Sequence, residues 1–483
     1  MTTGLQALTR RVREELAYLA YPDKPWVEPL ARPDAPGALD CAIVGGGQFG
    51  LAVAAGLKRE CVHAVRVFDR NPRGREGPWM TFARMEMLRT PKHLTGPDLG
   101  VASLTFRAWY EAQHGADGWD RLFRIARPDW QAYLGWYRDV LGLDVRNDTA
   151  VIDIEPLPPD LFRLMVQGPG GTEAVLARTV VLASGAEGSG ARIVPAFIRD
   201  VLPRALYAHT NDDIDFTGFA GKRVGILGAG ASAFDNAIAA LTHGAASATL
   251  CFRRPELPLA NPRRWMEFSG FLAHYPELAD ADRWAYMHRL YDIGQPPPEP
   301  TFRRAVGLPG FSMRPSTPWL AVAATPESTV RVTTPDGPLE FDFVIAGTGI
   351  AVDLALRPEL ARVAPHVAYW EDRYTPPAAL ADARLARFPY MDRYSAFTEK
   401  LAGRAPWVSR VFAIFRGATL SMGPSAASNS NLKYTAPRIV SGVTRQLFLD
   451  AAPAYHRRFM AEAHHELAPD AVGAAVARRA ANG

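Results

Sequence analysis

Two glycine-rich fingerprints, far apart in the chain, constrain the fold more than any other feature of this sequence. The first, Gly45–Gly50, has the pattern G-x-G-x-x-G, and the second, Gly228–Ala233, has the pattern G-x-G-x-x-A. Each follows a short apolar run and opens an alanine-rich segment, which predicts a strand, a tight turn and a helix. One such motif is a weak signal. Two of them in this context predict two nucleotide-binding βαβ units that face each other.

The first fingerprint has every part of a dinucleotide site. It follows the apolar run 41–44, and the next predicted strand, 64–68, ends in Asp69, near the spacing expected for an acid that binds a ribose hydroxyl. The glycines permit the tight turn, the approach of a pyrophosphate and the packing of the helix on the strand. A plain glycine-rich turn with a chance carboxylate is the alternative. The predicted contacts are Gly45, Gly47, Gln48, Phe49, Gly50, Asp69 and Arg70.

The second fingerprint differs from the first where its second strand ends. The strand 248–252 is followed by Arg253 and Arg254, in the place where the first unit has Asp69. An arginine fork accommodates a ribose 2′-phosphate, whereas an acid favours a free ribose hydroxyl. The first unit is therefore predicted to bind FAD and the second NADPH, unless the two arginines are ordinary solvated charges. The predicted NADPH contacts are Gly228, Gly230, Ala231, Ser232, Ala233, Arg253 and Arg254.

Composition sets the class of protein. The chain has 483 residues, of which 48% are hydrophobic, and a net charge of +4. This length supports two or three domains, and the balanced charge argues against nucleic acid as a partner. No apolar run is long enough for a membrane span, and the N-terminus lacks the pattern of a signal peptide. Cys41, Cys61 and Cys251 are scattered, which predicts a cytoplasmic protein and excludes a flavin reductase with two nearby cysteines.

Two further apolar strands indicate how the units are connected. Residues 179–183 and 341–346 are each followed by small residues, in the second case Gly347 and Gly349, which we expect beside the cofactors. The predicted fold is α/β, with two Rossmann-like domains and the NADPH domain inserted into the FAD domain. The predicted boundaries are a helical extension at 1–37, an FAD domain at 38–205 and 340–465, an NADPH domain at 206–339 and a frayed tail at 466–483.

Over about residues 38–350 the chain resembles the flavin-containing monooxygenases, the class B flavoprotein monooxygenases. His209 and Thr210, ahead of the second fingerprint, match the second half of that superfamily's linker motif, although Pro203 and Ala205 depart from the first half. Residues 77–79 resemble its G-G-x-W segment. Residues 84–91 and 127–134 are most similar to the branch that N-hydroxylates amines. The resemblance places Trp79 near the flavin, or in the core, and gives His209 a contact with NADPH, or a role in capping a turn.

The resemblance also implies a reaction. NADPH would reduce FAD, and the reduced flavin would add O₂ as a C4a-hydroperoxide and pass one oxygen atom to a small substrate, by N-hydroxylation of an amine. Because the flavin carries the chemistry, no catalytic side chain and no metal site are predicted. Baeyer–Villiger oxygenation of a ketone is one alternative. An NADPH oxidase, or a reductase or electron-transfer partner without oxygen insertion, is another.

The substrate site is predicted between the two domains. Residues 420–431 are dense in small polar side chains, and we expect Ser425, Asn429 and Asn431 to line the flavin or the substrate, unless this is an ordinary surface loop. Asn261 is expected to face the nicotinamide. A helix is predicted to start near Pro437. The predicted partners are a small-molecule substrate and O₂, and the sequence leaves homo-oligomer formation open.

Overall fold

Two β-sheets, one mixed and one parallel, form the centre of the computed structural model, which describes residues 3–30, 32 and 34–481. The predicted extension (1–37) and tail (466–483) therefore lie partly outside the described residues. The strands, in chain order, are β1 (Leu39–Val44), β2 (Val65–Phe68), β3 (Val145–Arg146), β4 (Ala150–Leu157), β5 (Leu161–Gly168), β6 (Gly171–Gly185), β7 (Tyr207–His209), β8 (Arg223–Leu227), β9 (Ser247–Cys251), β10 (Phe311–Arg314), β11 (Ala321–Ala324), β12 (Val330–Thr334), β13 (Gly337–Phe341), β14 (Phe343–Ala346) and β15 (Val411–Phe415).

The helices surround these sheets. In chain order they are α1 (Thr3–Tyr18), α2 (Gln48–Arg59), α3 (Phe106–Arg121), α4 (Arg127–Leu141), α5 (Ala196–Arg199), α6 (Ala231–Thr242), α7 (Pro262–Met266), α8 (Ser269–His274), α9 (Asp280–Ile293), α10 (Glu299–Val306), α11 (Ala383–Ala386), α12 (Thr419–Met422), α13 (Leu432–Met460) and α14 (Pro469–Ala481). Helix α13 begins before Pro437 and contains it, so the predicted start near that proline is wrong. The N-cap of α13 is Asn431, which ends the polar loop.

The first sheet has the order β3-β2-β1-β6-β5-β4, with β15 also paired to β6. The two halves of the long strand β6 pair differently. Its first half pairs antiparallel with β5, and its second half lies parallel between β1 and β15. Cys41, Ala42 and Ile43 in β1 are fully buried, as expected for a parallel strand that is covered on both faces. Helix α2 is buried from Gln48 to Leu57, because it lies between this sheet and α13.

The second sheet is parallel throughout, with the order β10-β9-β8-β14-β7. The chain leaves the first sheet after β6, builds the second, and returns to the first as β15. This order confirms the predicted α/β fold with one Rossmann-like unit inserted into another. Strand β14 lies between β7 and β8, so the second sheet extends to Ala346, beyond the boundary at 339, which stays a prediction. A small antiparallel sheet, β11-β12-β13, precedes β14. The other boundaries stay predictions.

Charged side chains join the two units. Arg89 pairs with Asp235, a buried carboxylate on α6, and Arg304 on α10 pairs with Glu86 at 2.5 Å. Arg84 donates hydrogen bonds to the carbonyl oxygens of 212 and 214, at 2.9 and 3.3 Å. The segment 84–91, noted in the sequence for its resemblance to N-hydroxylating enzymes, therefore lies against the second unit.

The two ends of the described chain differ in packing. Helix α1 buries Leu5, Leu8 and Val12 in an aromatic-rich cluster with α3 and α4. The tail is helical over Pro469–Ala481, its side chains are exposed through 479, and its fraying stays a prediction. Among the described residues, no helix is both long and apolar enough to cross a membrane.

Candidate active site

The first glycine loop has two crowded positions and one open position. A Cβ atom at Gly45 (φ +112°) would lie 2.4 Å from the carbonyl oxygen of Ala183, and one at Gly50 would lie 1.9 Å from the carbonyl oxygen of Gly45. A Cβ atom at Gly47 would meet nothing closer than 3.8 Å. Gly47 is the N-cap residue of α2, and no side chain caps the start of this helix. The loop therefore leaves open the space beside free helix N–H groups that a pyrophosphate needs.

Asp69 lies beside this loop, as predicted. One of its carboxylate oxygens accepts from the Gly46 N–H at 2.7 Å and the other from the Asn71 N–H at 2.8 Å. Burial raises the pKa of Asp69, against the lowering effect of these two N–H groups. Each oxygen keeps a lone pair for a ribose hydroxyl. Phe49 is buried beneath the loop, and Arg70 is exposed.

Gln48 ties the loop to two distant parts of the chain. Its side-chain oxygen accepts from the Trp130 indole N–H at 3.0 Å, and its amide nitrogen donates to the Asn429 side-chain oxygen. The polar loop is thereby held on the first turn of α2. Ser425, Asn429 and Asn431 are all buried, so this is not the exposed surface loop considered as the alternative. Asn429 is therefore hydrogen-bonded to the first turn of α2, beside the first glycine loop.

Several buried polar atoms around the first fingerprint have no partner within the described residues. They are Trp79 Nε1, Gln131 Oε1 and Asn431 Oδ1. Trp79 packs edge-on against Trp130, with ring centroids 6.5 Å apart, and so belongs to the same shell as Gln48. Buried polar groups left unpaired by protein are uncommon and indicate a ligand that completes them. Together with the open glycine and Asp69, they fit FAD.

The second glycine loop repeats the geometry of the first. A Cβ atom at Gly228 (φ +120°) would lie 2.5 Å from the carbonyl oxygen of Gly347, and Gly230 faces open space at the start of α6. A Cβ atom at Gly347 would lie 2.9 Å from the carbonyl oxygen of Leu227 and 3.2 Å from Ala233. Gly347 therefore packs directly on the loop, and its predicted place beside the cofactors stays a prediction. Ala231 begins α6, and Ser232 is exposed.

The two arginines after β9 differ from each other. Arg254 donates to the carbonyl oxygens of Ile293 (3.1 Å) and Asp292 (3.4 Å), at the end of α9. Arg253 is exposed and has no hydrogen-bond or ion-pair partner within the described part of the chain. A 2′-phosphate would thus meet one free guanidinium, that of Arg253, and one that is already engaged.

His209 is buried at the end of β7, and backbone groups engage both of its ring nitrogens. Its Nδ1 accepts from the Asn211 N–H at 3.1 Å, so Nε2 carries the proton and donates to the carbonyl oxygen of Gly349 at 2.9 Å. Burial lowers the pKa of His209, which keeps the ring neutral. Both ring nitrogens already have backbone partners, and the predicted contact with NADPH stays a prediction. The imidazole fixes the glycine segment that follows β14.

Asn261 stands apart from the other predicted substrate residues. It is exposed, and its side-chain oxygen accepts from the Arg263 N–H at 3.1 Å, which caps α7. Its neighbour Arg263 reaches inward instead, donating to the carbonyl oxygen of Pro424 at 2.5 Å. Arg416, just after β15, was not predicted either. Neither arginine carries a motif, and only the fold brings them together.

Comparisons with known proteins agree with this geometry. A family model described as FAD-NAD(P)-binding matches residues 42–187, and one described as L-lysine 6-monooxygenase/L-ornithine 5-monooxygenase matches residues 118–264. The chain is 44% identical over 463 residues to an FAD-dependent urate hydroxylase of Xanthomonas campestris pv. campestris, covering 95% of this chain and 96% of that protein.

Solved structures show the same fold. An ornithine N-hydroxylase of Kutzneria sp. 744, with reduced FAD, NADP⁺ and L-ornithine, aligns with a TM-score of 0.66 at 18% identity, covering 85% of this chain and 99% of that one. An ornithine hydroxylase of Pseudomonas aeruginosa aligns with a TM-score of 0.65 at 16% identity, covering 85% and 100%.

Proposed function

The chain belongs to the class B flavoprotein monooxygenases, with FAD and NADPH as cofactors, and we propose that it hydroxylates urate or a closely related purine. One observation carries the choice of substrate: the 44% identity to an FAD-dependent urate hydroxylase, which extends over nearly the whole of both chains. The net reaction converts NADPH, a proton, O₂ and urate into NADP⁺, water and a hydroxylated urate. Urate has no C–H bond, so a hydroxyl group adds to a carbon of its ring C=C bond while a ring N–H loses its proton and a C=N bond forms.

The fold divides the work between cofactors and protein. When bound, FAD supplies the activation of O₂ and NADPH supplies the hydride. The chain's own residues bind and orient: the open position at Gly47 accommodates the FAD pyrophosphate, and Asp69 accepts from its ribose. The buried loop that carries Ser425 and Asn429 closes one side of the site and excludes water.

We further propose that Arg253 selects NADPH over NADH. Its guanidinium follows the second strand of the second βαβ unit and is free of protein partners among the described residues. This is the position from which an arginine accommodates a 2′-phosphate. Arg254 would contribute less, because it already donates to the end of α9.

N-hydroxylation of an amine is the second candidate. It is supported by the lysine/ornithine monooxygenase model over residues 118–264 and by the fold of ornithine hydroxylases. The fold likeness is at low sequence identity and does not extend to the substrate. The two candidates differ in charge, since urate is an anion at neutral pH and an alkylamine is a cation.

A substrate panel tests the proposal. Purified FAD-loaded protein is given NADPH and, in separate reactions, urate, L-ornithine, L-lysine or cyclohexanone, while NADPH loss and hydrogen peroxide are both measured. We expect urate to accelerate NADPH oxidation at least tenfold with little peroxide. A coupled reaction with an amine and none with urate would instead establish the second candidate. Peroxide alone with every compound would leave only an NADPH oxidase.

A further inference from the structure

Arg263 and Arg416 form a cationic cluster where the two units meet. Arg416 donates to the hydroxyl of Tyr291 at 3.3 Å, and Arg263 donates through Nε to the side-chain oxygen of Gln295 at 3.0 Å. Tyr291 lies in the last turn of α9 and Gln295 just beyond it. Both guanidiniums therefore converge on the same end of one helix, one from each unit of the fold.

Neither guanidinium has a carboxylate to neutralise it among the described residues. Burial lowers the pKa of Arg263, and the nearby charge of Arg416 lowers it further. The charge of Glu267 opposes this lowering, but that carboxylate forms no ion pair with Arg263 and accepts a hydrogen bond from Ser430. A third arginine, Arg384, lies over the ring of Tyr291, but Asp382 pairs with it. Charges withdrawn from water are normally paired, so two half-buried guanidiniums without an ion-pair partner among the described residues favour an anion from outside the chain.

The cluster also has unused hydrogen-bonding capacity. The Nε atom of Arg416 is buried and has no partner in the described residues. Arg263 uses Nη1 for the carbonyl oxygen of Pro424 and Nε for Gln295, which leaves Nη2 free. Planar guanidiniums with free N–H groups bind planar, delocalised anions better than they bind point charges.

The location of the cluster matches the expected position of a substrate. Phe415, the residue before Arg416, is in register with Gly185 at the end of β6, so Arg416 lies at the carboxyl edge of the first sheet. Ligands bind outside this edge in open α/β sheets. Arg263 contacts Pro424 in the same loop that Asn429 joins to the first turn of α2.

We propose that Arg263 and Arg416 form the anion subsite of the active site and bind the negative charge of a planar oxopurine such as the urate monoanion. This inference rests on the proposed function and assigns two side chains to it. The same cluster would repel a cationic alkylamine, so it would also determine which of the two candidate substrates is accepted.

The test measures binding apart from turnover. Urate and, separately, NADP⁺ are titrated calorimetrically into the oxidised FAD-loaded protein and its variants Arg416→Gln, Arg263→Gln and Arg416→Lys. Arg289→Gln is the matched control, because this exposed arginine on α9 pairs only with Asp292 at the surface. We expect each Gln variant to weaken urate binding by roughly 10- to 100-fold, the loss of one charge-assisted hydrogen bond. Arg416→Lys should retain part of the affinity.

NADP⁺ affinity and flavin content should change less than threefold in all variants. Equal losses for urate and NADP⁺ would assign the cluster to the nucleotide and overturn the inference, as would urate binding that is unchanged in both Gln variants. If the wild type binds urate through these arginines without hydroxylating it, the subsite stands and the proposed function fails. If the wild type hydroxylates urate but the variants bind urate with unaltered affinity, the proposed function stands and the subsite fails. No urate binding by the wild type would overturn both.

Discussion

The side-chain amide of Gln48 donates a hydrogen bond to the side-chain oxygen of Asn429, across 381 positions of the chain. Gln48 opens the helix of the first fingerprint, and Asn429 lies in the buried polar loop that precedes α13. Trp130 completes the arrangement by donating to the other end of the Gln48 amide. Hydrogen bonds between side chains of three separate segments therefore fix the helix start that follows the first glycine loop.

Replacing Asn429 should weaken FAD binding more than it alters the use of substrate. Asn429→Ala leaves the buried Gln48 amide without its acceptor, which costs roughly 1–3 kcal/mol. We expect flavin to dissociate at least fivefold more readily, as measured by flavin fluorescence on dilution. Ser428→Ala, a change in the same loop that removes only a bond to the carbonyl oxygen of Ser425, is the control. A raised KM for urate with normal FAD retention would indicate instead that Asn429 contacts the substrate.

The two glycines of the first loop should respond differently to alanine. At Gly47 the protein has space for a methyl group, so Gly47→Ala should fold normally and lose FAD through contact with the pyrophosphate. At Gly50 the methyl group would meet the Gly45 carbonyl oxygen at 1.9 Å, so Gly50→Ala should lose roughly 1–3 kcal/mol of stability even without cofactor. The absorbance at 450 nm per mole of protein measures the flavin content, and the melting temperature of each apoprotein measures its stability. Full flavin content in Gly47→Ala would contradict the site.

Arg253 should account for most of the preference for NADPH. Arg253→Ala removes a charge-assisted contact of roughly 1.5–3 kcal/mol, which should raise the KM for NADPH about 10- to 100-fold and leave the KM for NADH nearly unchanged. Arg254→Ala should have a smaller effect on the ratio of the KM values for NADPH and NADH, because that side chain donates a hydrogen bond to the end of α9. Steady-state kinetics with both nucleotides decide the matter, and equal losses for NADPH and NADH would argue against recognition of the 2′-phosphate.

His209 should make folding stability depend on pH. Because burial lowers its pKa in the folded protein, the unfolded chain takes up this proton first as the pH falls through its ordinary value of about 6.5. Its contribution to stability is therefore complete above that value and declines below it. Between pH 7.5 and 5.5 the free energy of unfolding should fall more for the wild type than for His209→Gln, as measured by urea denaturation. His465→Gln, at an exposed site, should behave as the wild type.

The sequence predicts the parts of this protein that depend on local pattern. Gly45, Gly47 and Gly50, the strands beside them and Asp69 follow from residues that are close in the chain, and the structure has them as expected. The boundary predicted at 339 lies before β14, because β14 has the apolar character of a strand from either sheet. Its partners, β7 and β8, come from distant positions.

Contacts between side chains that only the tertiary structure brings together could not be predicted from the sequence. Arg263 and Arg416 follow no motif, and nothing local distinguishes them from the solvated arginines of this chain. His209 matches a family motif, yet its ring serves the backbone of Gly349, a relationship that only the pairing of β14 with β7 creates. Asn429 is predicted to line the flavin or the substrate, but its hydrogen bond with Gln48 could not be identified from spacing.

The most direct measurement follows the oxygen atoms. The FAD-loaded protein is given NADPH, urate and ¹⁸O₂ in one reaction, and L-ornithine replaces urate in a second. We predict that one ¹⁸O atom per NADPH consumed enters a product of urate, measured by mass spectrometry after rapid quenching, and that ornithine gains none. Label found only in hydrogen peroxide and water, or only in hydroxylated ornithine, would contradict a urate-hydroxylating monooxygenase.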